Sequence, residues 1–209
     1  HLRQQYPAGG QLRLSQLVLI IQELLGYFLI GIIGMAILAV CYLPIYFIMR
    51  KRMPLLRQIA YFLFVVCVLV ISTATFLDWV ITCLLNGRAI LATEHSLNLI
   101  PFRFITETWD MGVRKQITQT IANILMFLPL GFIFPVAFKK ARTFYKTAIC
   151  MLLFSFLIEF VQYFIGRSAD IDDLILNTSG AMLGYFLFYK LSKLFRNKNI
   201  WKKLNGTAS

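Results

Sequence analysis

Charge is scarce in this sequence. Only 14% of the 209 residues are Asp, Glu, Lys or Arg, against roughly 25% in an ordinary soluble domain. Apolar residues reach 59%, where about 45–50% is usual. A soluble domain of this length has no interior large enough for so much apolar side chain, so a bilayer is the expected solvent. Histidine is nearly missing. His1 and His95 are the two present, and they cannot build a metal site between them. The four cysteines, Cys41, Cys67, Cys83 and Cys150, form no close pairs. That excludes zinc-ligand spacing and offers no disulfide framework. Packing within apolar runs is the plain reading for all four. There is no internal repeat and no low-complexity tract. The chain starts at His1 rather than Met, so its first few residues are expected to be an added tag.

What is present is basic and sorted. The formal net charge is +12, which raises nucleic acid as a partner. Such a partner needs a basic, solvated face. Here most bases sit in short gaps between apolar runs, the pattern of cytoplasmic loops, so no nucleic acid is expected. A spanning helix needs about 20 mostly apolar residues to cross roughly 30 Å of hydrocarbon. Five stretches qualify: Leu24–Phe47, Gln58–Leu85, Ile117–Phe138, Phe144–Ile165 and Asp173–Leu194. An amphipathic or extended start at Leu12–Glu23 precedes them. None shows the period-two alternation of a barrel strand. The expected fold is an all-α integral membrane protein of about five transmembrane helices.

Orientation follows from the bases. Arg50, Lys51, Arg52 and Arg57 separate the first two stretches. Lys139, Lys140, Arg142 and Lys146 separate the third and fourth, and Lys190, Lys193, Arg196, Lys198, Lys202 and Lys203 attend the end of the fifth. The positive-inside rule puts these gaps in the cytoplasm, with the N-terminus outside and the C-terminus inside. The nine acids (Glu23, Asp78, Glu94, Glu107, Asp110, Glu159, Asp170, Asp172 and Asp173) all fall toward the other side. The long connection Asn86–Gln116 also lies there, and loops of that length are usually functional or hold small helices. Domains are expected at 1–94, a helical region with two spans, at 95–194, with three spans, and at 195–209, a basic cytoplasmic tail.

Ionisable groups inside a span cost about 2.5–3.5 kcal/mol on insertion scales and mark candidate sites. Asp78, Asn123 and Glu159 each sit roughly 10 Å below the outer surface at 1.5 Å rise per residue. That common depth predicts a shared polar pocket. Ser155, Glu159 and Gln162 share one helix face. Asp173, Asn177, Gly180 and Gly184 form a second stripe, whose glycine pair allows another helix to come close. Arg167, in the turn after Gly166, is a natural bidentate partner for Glu159, Asp170 or Asp173. A buried network that only fixes helix packing is the competing reading of the same residues. For Asp78, next to Trp79, a simple interfacial position is preferred. Trp109 suits the outer interface too, and Trp201 the inner one. Pro129 predicts a kink in the third span.

Three groups of residues carry a family resemblance. Ser96-Leu97-Asn98-Leu99-Ile100-Pro101-Phe102 resembles the entry motif of the VanZ-like family. Asn123-Ile124-Leu125-Met126-Phe127-Leu128-Pro129-Leu130-Gly131 is similar to its Asn-x-x-x-Phe-x-Pro-x-Gly helix. Glu159 to Gln162, Gly166 to Asp173 and Asn177 to Gly184 resemble its closing block. The resemblance covers roughly residues 95–190. It implies a multi-pass protein of the bacterial cell membrane, with membrane lipids around it. It also implies low-level resistance to teicoplanin and related lipoglycopeptides, exerted at the outer face without remaking the wall precursor. Teicoplanin carries a lipid tail and vancomycin does not. A pocket in the outer leaflet would therefore meet a lipoglycopeptide antibiotic or a lipid-linked cell-wall precursor. A phosphotransbutyrylase label attached to some relatives gains no support, since no phosphate-cradling glycine-rich loop occurs.

The alternative is an enzyme acting on a lipid or lipid-linked wall substrate. Glu159 would be its general acid or base, with Asp170 and Asp173 as further candidate catalytic groups. Asn98, Asn123, Gln162, Arg167, Asp172 and Asn177 would form the binding or structural part of the pocket. Asp170, Asp172 and Asp173 together would offer oxygen ligands to a hard cation, but no metal and no cofactor is specified. No activated Ser or Cys with a His partner is visible. A transporter is disfavoured, because polar groups do not reach the inner half and no repeat is present.

Overall fold

In hydrocarbon a segment must satisfy its own peptide N–H and C=O groups, and a helix does so. The computed structural model of the chain describes residues 36–51, 53–103 and 113–195, the stretch 113–118 by its backbone only. The apolar runs there are helical. Helix α1 covers Ala36–Met49 and α2 covers Leu55–Leu85. Helices α3, α4 and α5 cover Val113–Ala137, Phe144–Phe164 and Ile171–Leu194. The chain divides into two compact units, His1–Phe47 and Ile48–Ser209. Of the first expected span, residues 24–35 lie outside the described residues, as do the start at 12–23, Trp109 and Trp201.

Among the described residues, three helical stretches are long and apolar enough to cross a membrane: Leu55–Leu85, Gln119–Ala137 and Phe144–Phe164. This is a helical membrane protein. Ile149, Leu153, Phe156, Leu157, Phe160 and Phe164 make an exposed apolar face along α4. Such a face suits lipid, whereas in water a patch of that size marks a binding surface or aggregation. Helix α5, expected to span, is less apolar than these three. It carries Asp172 and Asp173 in its first turn and Asn177, Thr178 and Ser179 beyond it.

The core of the second unit is Ile71, Phe127, Leu130, Phe134, Met151, Ile158 and Ala181, drawn from α2, α3, α4 and α5. Helices α3 and α5 touch through their backbones. A Cβ on Gly180 would strike the Ile124 carbonyl, one on Gly184 the Leu128 carbonyl, and one on Gly131 that of Ala181. The glycine pair read from the sequence therefore does allow close approach, with Gly131 answering from the facing helix. Helix α3 runs without a break through Pro129 and Pro135.

Two features were not expected. Helix α2 contains a π turn, Thr73–Leu77. Two three-residue strands, β1 (Ser96–Asn98) and β2 (Ser168–Asp170), pair in parallel with Asn98 opposite Asp170. They clip the loop after α2 to the connection between α4 and α5. Three residues are too few to show alternation, and strand partners 72 positions apart leave no local signal.

Candidate functional site

The α4–α5 turn is the organising point. Gly166 has φ 76°, a left-handed conformation that glycine adopts without steric cost. The turn sends Asp170 back toward α4, where its N–H donates to Glu159 Oε2 at 2.8 Å. Asp170 is the N-cap of α5, and its Oδ1 accepts from the Asp172 N–H at 2.8 Å. An Asp in this place satisfies one of the orphan donors of a helix start. Across the strand pair, Asn98 Nδ2 donates to both Asp170 oxygens, at 3.0 and 3.1 Å. Asn98 Oδ1 in turn accepts from the Ile100 N–H at 3.2 Å. Asp172 Oδ1 accepts from the Phe102 N–H at 2.5 Å. Phe102 has φ 62°, which is a genuine outlier for a bulky residue and is held only where surroundings enforce it.

Each remaining polar residue has a defined place. Asn123 Nδ2 on α3 donates to Asp173 Oδ1 at 2.6 Å. Asn177 Nδ2 donates to Ser155 Oγ on α4 at 3.0 Å. The expected α5 stripe is thus shared: Asp173, Gly180 and Gly184 face α3, while Asn177 turns to α4. Gln162 Nε2 and Arg167 Nη1 both donate to the Thr75 carbonyl, at 3.2 and 2.6 Å. The π turn explains that acceptor. The Asp78 N–H bonds the Thr73 carbonyl, an i→i+5 closure that shifts the usual ladder and re-aims nearby carbonyls.

These groups wall a cleft of about 540 Å³. Asn98, Asn123, Gln162, Arg167, Asp170, Asp172 and Asp173 line it, with Ser96, Ser168, Gln119, Thr120 and Arg103. Glu159 and Asn177 are buried behind the wall. Buried Gln162 Oε1 and Asn177 Oδ1 find no donor among the described residues. The sequence had singled out seven of the lining residues. It missed Gln119, Thr120 and Arg103, whose polarity is ordinary for a helix start or a loop.

Three expectations are corrected. Asp78 is exposed and does not line the cleft, so the common depth of Asp78, Asn123 and Glu159 does not make one pocket. Arg167 forms no ion pair with Glu159, Asp170 or Asp173 among the described residues. Its guanidinium goes to the Thr75 carbonyl instead, from where its charge still acts on Glu159 and Asp173. Asp170, Asp172 and Asp173 form no metal-holding group among the described residues. Each carboxylate has donors of its own: the Asn98 amide and the Asp172 N–H for Asp170, the Phe102 N–H for Asp172, and the Asn123 amide for Asp173.

The family model described as VanZ/LLP1 matches residues 58–196. The chain belongs to the VanZ/LLP1 family. The match starts well before the motif block at 95, and so includes most of α2 with its π turn. The chain is similar to Protein VanZ of Enterococcus faecium, at 32% identity over 108 residues. Those residues are 51% of this chain and 61% of that protein, so the chain spans less than two thirds of that relative's length. No solved structure matches it. The VanZ/LLP1 match encloses every residue of the cleft.

Proposed function

We propose that the protein lowers the action of teicoplanin and related lipoglycopeptides by binding a lipid-tailed ligand at the outer face of the bacterial cell membrane. The cleft carries this reading. At about 540 Å³ it lies within the range of small-molecule sites, and its wall is amide, carboxylate, hydroxyl and guanidinium. Such a wall suits a hydrogen-bonding headgroup, as on a lipid-linked wall precursor. On the other face of α5 an apolar groove of about 570 Å³, lined by Leu152, Ile171, Leu174, Met182 and Phe186 among others, suits a lipid tail. The acids gather at the cleft end and most of the bases at the other, so the cleft end faces outward by the positive-inside rule. The chain then crosses the membrane several times, with α5 as one crossing and its C-terminus in the cytoplasm.

Binding is favoured over catalysis by where the carboxylates point. Glu159 accepts a backbone N–H, Asp170 an amide and a backbone N–H, and Asp173 an amide. Their lone pairs hold structure together. The name Protein VanZ and the family match support the resistance reading.

The test is the inhibitory concentration of teicoplanin in a sensitive host at matched membrane levels. Wild type is expected to raise it. Gln119→Leu and Asp173→Asn are expected to remove most of that protection. Gln119 lines the cleft without joining the network above, so its loss separates binding from folding. An inhibitory concentration that does not rise with wild type would end the resistance reading. Full protection from both variants would end the role of the cleft.

A further inference from the structure

The cleft wall carries groups that its own hydrogen bonds leave incomplete. Gln162 on α4 is 7% exposed and lines the cleft. Its Nε2 donates to the Thr75 carbonyl at 3.2 Å. That bond fixes the amide, with the nitrogen toward the carbonyl and Oε1 on the other side. Oε1 is buried and accepts from nothing among the described residues. A buried acceptor left unmet costs about 1–3 kcal/mol, so in a folded protein it asks for an explanation. Arg167 donates to the same carbonyl through Nη1 at 2.6 Å. It is exposed and also lines the cleft. A guanidinium is all donor and no acceptor, and this one bond engages only part of its fork. A single backbone oxygen thus anchors both side chains, and sets an unmet acceptor beside unused donors. Asp173 extends the row. Its Oδ1 accepts from Asn123 at 2.6 Å, and its Oδ2 accepts no hydrogen bond among the described residues.

Headgroup chemistries differ in how they answer this row. An ammonium has protons for Gln162 and Asp173 but no lone pair for Arg167, and the guanidinium repels it. An ionised phosphate has lone pairs for Arg167 but no proton for Gln162 Oε1 or Asp173 Oδ2. It would also meet the like charge of Asp170, Asp172 and Asp173 on the wall. A hydroxyl donates and accepts through one oxygen. It takes an N–H from Arg167 and gives its own proton to Gln162 Oε1, and a second hydroxyl on the same group serves Asp173. A neutral group with several hydroxyls therefore matches acceptor, donor and carboxylate together, and a sugar is such a group.

We propose that the cleft binds the sugar of a lipid-tailed ligand, with its hydroxyls bridging Arg167, Gln162 and Asp173. This rests on the reading of the cleft as a ligand site and names the part of the ligand that it holds. The experiment is isothermal titration of the purified full-length protein in a polyoxyethylene detergent, which carries no sugar. Octyl glucoside, octyl phosphate and octylammonium share one tail, and each is measured against empty micelles. Octyl glucoside is expected to bind more tightly than the other two by about tenfold or more, the worth of one hydrogen bond met or missed. Methyl glucoside, with the sugar and no octyl tail, is expected to bind weakly. Gln162→Met keeps the bulk and removes the acceptor, while Arg167 still serves the Thr75 carbonyl. It is expected to hold its thermal midpoint near wild type and to weaken octyl glucoside about tenfold. Should it fail to fold, Arg167→Lys decides. That variant keeps the charge and loses the fork, and is expected to weaken octyl glucoside by a similar factor. Undiminished glucoside binding in the variant that folds, or equal affinity for octyl phosphate or octylammonium, would overturn the sugar site. Equal affinity for methyl glucoside would overturn the lipid-tailed source. Selective glucoside binding in a protein that never raises the teicoplanin inhibitory concentration would end the resistance reading and support this site. Protection without glucoside selectivity would overturn this site alone.

Discussion

Asn123 shows what a single amide does in this protein. It lies in an apolar run of α3, lines the cleft and donates to Asp173 at 2.6 Å. Removing it leaves a half-buried carboxylate without its donor, which costs about 1–3 kcal/mol. Asn123→Leu is therefore expected to lower the thermal midpoint. Asn123→Asp should lower it further, since two carboxylates would face each other. Adding Asp173→Asn to Asn123→Asp restores one donor and one charge, and is expected to recover part of the loss in a double-mutant cycle. Additive losses would mean that the pair is not coupled. Residues of this kind were legible in the sequence because a polar group in an apolar run stands out. Their partners were not. Arg167 read as a mate for a carboxylate, and only the position of Thr75 shows why a carbonyl takes it.

Helices were the most legible elements, because their length and apolar content are forced by the bilayer. The glycines of α5 were legible as a spacing, and Gly131 supplied the other half of the contact only once the helices were docked. Substituting Gly184 with Val drives a side chain into the Leu128 carbonyl, where backbone has no room to yield. Overpacking of a core commonly costs about 1–3 kcal/mol, and a backbone clash belongs at or beyond the top of that range. Gly184→Val is expected to yield aggregated or degraded protein on size exclusion. Gly87→Ala meets nothing within 4 Å of its new Cβ and should differ only by the strain of its positive φ. A monodisperse Gly184→Val would show that the helices do not pack this closely in the membrane. The π turn and the strand pair were illegible for a different reason. Neither has a composition of its own, since each is a hydrogen-bond pattern imposed by neighbours.

At the scale of the whole molecule, charge sorting is the feature with the furthest reach. It predicts sidedness. In a background lacking Cys41, Cys67, Cys83 and Cys150, a cysteine at Glu94 should react in intact cells with a membrane-impermeant maleimide. One at Lys193 should react only after the cells are opened. The reverse result would turn the cleft inward and remove the basis for an outer-face ligand. The cleft also has a history within each molecule's synthesis. Its walls come from β1, α3, α4, β2 and α5, and the chain leaves the ribosome in that order. Until α5 arrives, Asn98 and Asn123 have no Asp170 or Asp173 to receive their hydrogen bonds, and Glu159 waits for the Asp170 N–H. A nascent chain that pauses before residue 170 is therefore expected to leave Asn123 and Glu159 without the hydrogen-bond partners they have in the folded protein.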